Sequence, residues 1–411
     1  MLAPIRSDPA SRRRLAVVDG LRGLAILMVV FYHCWGLLPK VNGDRSTGLI
    51  DAPLAHLFGF GWSGVDLFFV ISGFLITGNL YDAQGSPTYF RSFYARRFLR
   101  VFPLYYVFLS VVLFLVPLST TLAQNLQVDA LRNVQWFYWT YTMNVAASLR
   151  ATADKIPIVY SHIWSLCVEE QFYLLWPAIL LCTKDRRRLM RLLLGAVGLA
   201  LVARWLFTLE VASRIFRENA AYSLLPCRMD TFAFGGWLAL AVRGDAAEVA
   251  RLRRLGPALV AVALAGLAAI YVARHGIRPF DVPQQTIGFS LLTLGFGGLL
   301  VMILDAAPHA ALRWIFESAP LLAAGKFSYG LYVVHLAVAA VVIPRVVHAW
   351  WTRPVAGSVI LANLGFLALA GAGSLAIAWA SWHLLEKPAL ALKRYVPYGR
   401  APGRETAWHE P

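Results

Sequence analysis

The 411-residue chain is short of charge, and of acidic side chains above all: Asp and Glu total 22 against 38 Lys and Arg, and charged residues make up 15% of the whole. So little charge excludes an ordinary soluble domain, in which about a quarter of the residues are Asp, Glu, Lys or Arg. Cysteine is scarce as well. Cys34, Cys167, Cys182 and Cys227 stand at no metal-ligand or disulfide-framework spacing, so neither a metal centre nor a stapled secreted fold is expected. They read as small apolar residues, with a thiol nucleophile at Cys34 or Cys167 as the alternative, because those two sit near the polar cluster described below. A fixed-period repeat and a soluble domain of useful size are also lacking, which sets solenoid architectures aside.

Apolar residues fill the chain instead, at 59%. Runs recur at 21–38, 64–81, 101–118, 164–182, 191–208, 222–242, 255–273, 286–304, 321–343 and 357–384. Each is about the 20 residues that a helix needs to cross the hydrocarbon core. No small-residue cleavage site follows the first run and further runs continue to the C-terminus, so it reads as a retained helix and not a signal peptide. The expectation is an all-α polytopic membrane protein of about ten transmembrane helices around a polar cavity. Residues 1–15 form a basic cytoplasmic tail, 16–390 the membrane domain and 391–411 a second cytoplasmic tail.

Basic residues near span ends favour the cytoplasmic side. With the N-terminus inside, roughly two thirds of the 38 Lys and Arg fall in cytoplasmic stretches, and an even number of spans returns the C-terminus to the same side. Topology and anionic lipid then account for most of the formal charge of +16, and no nucleic-acid partner is needed. The longest non-spanning stretch is an outer loop of about 119–163. Its aromatic run WFYWTYTMN, 136–144, fits an interfacial belt and could also offer faces on which a sugar ring stacks.

Ionisable groups inside these spans are functional-site candidates. In VVDGLRGLAILMVVFYHCWG, Arg22 and His33 are 11 residues apart, so on a helix they lie about 20° apart around the axis and roughly 16 Å apart along it. They share one face at two depths. A snorkelling arginine and a histidine bonded to a neighbouring helix is the plain structural reading of that pair. Other polar residues reach the same outer half from different spans: Asp66, Glu169 with Glu170, Arg228 with Asp230, and Ser328, Tyr332 and His335 progressively deeper along the ninth. Each would be costly against lipid, by roughly 2.5 to 3.5 kcal/mol for a central Asp or Arg, so they should face one another around a cavity opening outward. On the cytoplasmic side, Arg91, Arg96, Arg97 and Arg100 precede the third span, and Arg97 and Arg100, three apart, share a helix face. Arginine forks suit phosphate oxygens; anionic lipid headgroups are the blander occupant.

Arg22-x10-His33, the Gly64–Thr77 segment, Arg97-x-x-Arg100, HIWSLCVEEQFYLLWP and SYGLYVVHL followed by WHLLEKP together resemble the acyltransferase family 3 membrane proteins, over about 16–390 and in the family's order. The resemblance implies an O-acyltransferase of the bacterial inner membrane that takes an acyl group, acetyl first among them, from cytoplasmic acetyl-CoA or another acyl-CoA. The acceptor it implies is a hydroxyl of an extracytoplasmic saccharide or glycolipid. It further implies that His33 is the essential histidine and Arg22 its partner. Arg97 and Arg100, with Arg96 beside them, contact the donor, and Glu169 and Glu170 are the acidic pair of the fourth-span motif. Many relatives carry an extracytoplasmic hydrolase-like domain at the C-terminus, and a standalone enzyme without one is expected here.

The chemistry expected of these residues is acid-base. His33 acts as general base on the acceptor hydroxyl, with Asp66 or Glu169 orienting the imidazole, or His33 itself carries the acyl group. Trp164, Arg228, Asp230, Ser328, Tyr332 and His335 are the candidate acceptor contacts. A flippase for a lipid-linked saccharide would also need a polar cavity, but the two matching halves with interrupted helices common in transporters are not visible. A small molecule such as a macrolide remains a further acceptor class.

Overall fold

A computed structural model of the chain describes residues 9–37, 51–208, 216, 219–304, 310–346 and 359–397. Parts of both expected tails, 1–8 and 398–411, lie outside the described residues, as do the loop residues Lys40, Arg45, Arg214, Arg217 and Arg353. Among the described residues the regular structure is helical, and a lone antiparallel bridge pairs Leu149 with Phe216.

Eleven helices form the frame: α1 (Pro9–Leu37), α2 (Gly64–Asp82), α3 (Tyr89–Ser110), α4 (Trp164–Leu180), α5 (Arg186–Thr208), α6 (Leu225–Ala241), α7 (Ala246–Arg274), α8 (Phe289–Leu304), α9 (Ala319–Lys326), α10 (Ser328–Val346) and α11 (Val359–Ser381). Among the described residues seven helical stretches are long and apolar enough to cross a membrane: Ala16–Gly36, Leu54–Asp82, Tyr89–Leu118, Arg186–Thr208, Ala246–Arg274, Gln284–Leu304 and Leu364–Tyr395. An eighth arises if α9 and the first part of α10, bent by 77° at Phe327, count as one broken span. The expectation of about ten is therefore met only in part. The two remaining segments are α4 and α6, helices of 17 residues. At 1.5 Å per residue each is about 25 Å long, short of a bilayer core of about 30 Å.

These short helices are nevertheless central. Most of α6 is buried, whereas α5 and α7 keep much of their apolar surface outward, as helices facing lipid do. Helix α6 packs on α2 through glycines. A Cβ on Gly73 would lie 2.1 Å from the Phe232 carbonyl oxygen, and one on Gly235 would lie 2.1 Å from that of Val70. Small residues permit this backbone approach, and without a hydrophobic driving force between lipid-embedded helices such contact is a main source of association. Helix α1 meets α9 in the same way, a Cβ on Gly23 falling 2.0 Å from the Leu321 carbonyl oxygen, which sets the depth of the neighbouring Arg22.

The expected outer loop is itself helical. It holds the helices Thr120–Asn125, Val128–Trp139 and Met143–Ser148 and the 3₁₀ turns Ala153–Lys155 and Ile158–Ile163. Its aromatic run divides accordingly: Trp136 is 73% exposed, while Tyr138 and Met143 are buried in the main core. An amphipathic helix with one face packed inward thus replaces a simple interfacial belt.

Candidate active site

Two cavities lie along α1, one at Arg22 and one at His33. The first has an empty volume of about 800 Å³ and is lined by Arg22, by Arg97 and Arg100 of α3, by Glu169 and Tyr173 of α4 and by Ser328 of α10, with apolar walls from Phe68, Leu75 and Val101. The i, i+3 spacing of Arg97 and Arg100 brings both guanidinium groups to this space. Arg97 is buried, its guanidinium carbon 5.4 Å from the centre of the Tyr173 ring. Arg22 forms a loose ion pair with Asp19 at 3.7 Å. The Glu169 carboxylate accepts from Ser72 Oγ at 2.5 Å and from the Tyr173 hydroxyl, two donors that hold it in place. Glu170, next on the helix, is within electrostatic reach of Arg97 and of the Tyr106, Tyr141 and Tyr329 hydroxyls.

The second cavity is a wide cleft, about 2400 Å³ including its open mouth, lined by His33, His162, Trp164, Tyr222, Phe280 and Arg150 among others. His33 Nδ1 lies 3.0 Å from the Val29 carbonyl oxygen and 3.1 Å from His335 Nε2. His335 Nδ1 in turn faces only carbonyl oxygens, those of Tyr332 at 2.8 Å and Leu331 at 3.1 Å. The acceptors assign the tautomers. A nitrogen facing two carbonyl oxygens must carry the hydrogen, so His335 Nε2 is the acceptor and His33 Nδ1 the donor to it. His33 Nε2 is then left as a lone pair, the form a general base requires.

His162, which sequence reasoning passed over, completes a triad of imidazoles. Its ring centre is 4.8 Å from that of His335 and 6.1 Å from that of His33. The residue is 2% exposed, and among the described residues neither ring nitrogen makes a well-formed hydrogen bond, although the Val333 and Tyr332 backbone is within reach. Burial first, and then the His335 and His33 rings, hold it well below the usual histidine pKa, so it is neutral at neutral pH. Its sequence signal was its place at the head of the HIWSLCVEEQFYLLWP motif, 162–177, just outside the apolar run.

The cavities approach each other at a hydroxyl pair. The Tyr332 hydroxyl donates to the His162 carbonyl oxygen at 2.8 Å and accepts from Ser165 Oγ. Ser165 and Tyr332 line the arginine cavity, and the adjacent Trp164 lines the histidine cleft.

The remaining candidates lie apart from His33. Asp66 binds Arg228, and Asp230 binds Arg204 at 2.8 Å, all four side chains being at most 1% exposed. Arg204 also donates to the Cys227 carbonyl oxygen at 2.7 Å and to Ser290 Oγ, and the Arg228 guanidinium stacks 4.2 Å from the Phe289 ring centre. Two cations and two anions thus cancel within the helix bundle. The expectation that Asp66 or Glu169 orients His33 is corrected accordingly: His335 occupies that position, because a fixed guanidinium competes better for Asp66 than a neutral imidazole does, and Glu169 faces the other cavity. Arg96 donates to the Lys393 and Val396 carbonyl oxygens at 3.4 and 3.5 Å, on a different side of α3 from Arg97. Cys34 and Cys167 are packed in apolar clusters, and the lining of neither cavity includes them. Among the described residues no cluster of His, Cys, Asp or Glu has the geometry to hold a metal ion.

A family model described as an acyltransferase domain matches residues 15–383. Among curated proteins, the peptidoglycan O-acetyltransferase OatA of Listeria monocytogenes is 28% identical over 367 residues, covering 82% of this chain and 51% of the relative. The O-acetyltransferase OatA of Staphylococcus aureus is 26% identical over 336 residues, covering 79% and 50%. The putative peptidoglycan O-acetyltransferase YrhL of Bacillus subtilis is 32% identical over 187 residues, 43% of this chain and 26% of the relative. The chain thus spans about half the length, or less, of these relatives. No solved structure matches it.

Proposed function

We propose that this chain, which belongs to the acyltransferase family 3 whose model covers residues 15–383, is a membrane O-acyltransferase that moves an acyl group, acetyl first among them, from cytoplasmic acyl-CoA to a saccharide hydroxyl outside the bacterial cytoplasmic membrane. The observation that carries this reading is the presence along α1 of two chemically different cavities, one lined by Arg22, Arg97 and Arg100 and one by His33 and His162, with the Ser165–Tyr332 pair of the first next in the chain to Trp164 of the second. Arg97 and Arg100, with Arg22 nearer the centre, offer forked donors to the phosphates of the acyl donor. The donor's long arm then runs along α1, where Arg22 and His33 are roughly 16 Å apart, and brings the thioester to the His33 cleft. The acceptor occupies the wide cleft, whose Trp164, Tyr222 and Phe280 offer aromatic faces to sugar rings. The relatives named as peptidoglycan O-acetyltransferases make a peptidoglycan saccharide the first acceptor to test.

His33 Nε2 removes the proton from the acceptor hydroxyl as its oxygen attacks the thioester carbon. His335, fixed by two backbone carbonyl oxygens, accepts from His33 Nδ1 beside the Val29 carbonyl oxygen and so supports the positive charge that the His33 ring gains. The purified protein in lipid nanodiscs, given labelled acetyl-CoA and peptidoglycan fragments, is expected to place a base-labile label on the glycan, and His33→Ala to abolish this while retaining the parent's donor affinity. Full transfer by His33→Ala would overturn the reading. So would movement of a lipid-linked saccharide across vesicles without any acylation.

A further inference from the structure

We propose that His162 is a second catalytic imidazole, whose N–H binds the thioester carbonyl oxygen as that oxygen becomes negative. The inference rests on the acyltransferase reading above and adds to it the group that stabilises charge, which His33 does not supply. A buried polar side chain without a partner costs free energy, and its retention calls for an explanation such as a ligand or a catalytic role. His162 is such a case: it is 2% exposed, neither ring nitrogen makes a well-formed hydrogen bond among the described residues, although the Val333 and Tyr332 backbone is within reach, and it lines the cleft beside His33. Its backbone is anchored, because its carbonyl oxygen accepts from Tyr332 and its helical turn runs directly into α4. The ring itself is packed against those of Tyr332 and His335, with centroids 5.4 and 4.8 Å away, before any substrate binds.

The polar groups next to the His162 ring are committed elsewhere. The Tyr332 hydrogen goes to the His162 carbonyl oxygen, Ser165 donates to Tyr332, and His335 Nδ1 donates to backbone. Arg228 and Arg204 are ion-paired with Asp66 and Asp230 and line neither cavity. In the reaction the acceptor oxygen forms its bond to the thioester carbon, and its proton passes to His33 Nε2. The carbonyl electron pair moves onto oxygen, where the His162 N–H meets it. Collapse breaks the carbon–sulfur bond, and the departing thiolate takes the proton from His33. His162 keeps its own hydrogen throughout, as a neutral imidazole acting as an electrophile does.

The test compares the parent with His162→Ala in nanodiscs, reading kcat, the KM and Kd for acetyl-CoA, and the thermal midpoint. Loss of one preorganised oxyanion donor is expected to lower kcat about 100- to 1000-fold. Donor KM and Kd should stay within about three-fold of the parent, since the interaction is made only in the transition state. Added imidazole should restore at least about ten-fold of the lost kcat by occupying the vacated space. A His162→Ala kcat within about three-fold of the parent, or a loss confined to KM, overturns the proposal. If the alanine variant does not fold, His162→Phe, which keeps the ring volume and lacks the N–H, is judged by the same kcat and KM criterion. A parent protein that binds acetyl-CoA but transfers nothing to any glycan overturns the acyltransferase reading instead, and an active parent with an equally active variant overturns only the role of His162.

Discussion

Replacing His335 tests how His33 is held. His335→Phe preserves the ring volume in a side chain that is completely buried, but removes the acceptor 3.1 Å from His33 Nδ1. The His33 ring does not lose its tautomer, because the Val29 carbonyl oxygen remains 3.0 Å from the same nitrogen. What is lost is the second acceptor, and it matters most when His33 becomes cationic in the transition state. A hydrogen bond to a charged group is worth about 1.5 to 3 kcal/mol, which corresponds to a fall in kcat of about 10- to 150-fold. That is well below the roughly 10⁴-fold expected when a triad loses both its tautomer control and its negative charge. His335→Gln, whose amide oxygen can accept from His33, is expected to recover most of the loss. The assay is steady-state acetyl transfer with donor KM measured alongside, KM staying at the parent value in both variants. A His335→Phe enzyme within about three-fold of the parent in kcat, or one whose defect lies wholly in donor KM, would refute the assignment of His335 as a positioning residue.

Other expectations follow from the same geometry. Reversing charge in the arginine cavity, Arg97→Glu with Arg100→Glu, should weaken acetyl-CoA binding at least about ten-fold, the loss of one or more charge-assisted hydrogen bonds; unchanged titration calorimetry would count against a phosphate site there. Asp66→Asn leaves Arg228 as a buried cation without its counter-charge and should cost about 3 to 5 kcal/mol of stability, whereas the double replacement Asp66→Leu with Arg228→Met should recover most of it. Thermal unfolding in detergent measures both, and a single variant as stable as the parent would exclude the ion pair as a determinant of the fold.

Much of the helical frame was legible because the signal is local. Stretches of about 20 apolar residues depend only on helical period and composition, and seven of them recur among the described residues as helices long enough to span, with Arg22 and His33 on one helix and Arg97 and Arg100 on another. The outer segment 119–163 was harder to read: its helices are short and amphipathic, and polar residues on their outward faces make the stretch look like a loop. The count of spans suffered from the opposite effect. In α4 and α6 the apolar runs continue past helices of 17 residues into neighbouring turns, so composition overstated their length.

For the site, the sequence alone determined which ionisable residues stand within or beside apolar runs and which of them share a helix. It placed His33 and Arg22 on one wall and marked His335, Tyr332 and Glu169 as side chains in need of partners. Only the tertiary structure decided what those partners are. Asp66 went to Arg228, Asp230 to Arg204 and Glu169 to Ser72 and Tyr173, leaving His335 beside His33 and the unassigned His162 as the third imidazole. The physical reason is range. Helical periodicity acts over a few residues and is written along the chain, as in the i,i+4 bond from Tyr173 to Glu169, whereas the other pairings join positions on different segments, chosen by competition among buried polar groups once the helices have packed.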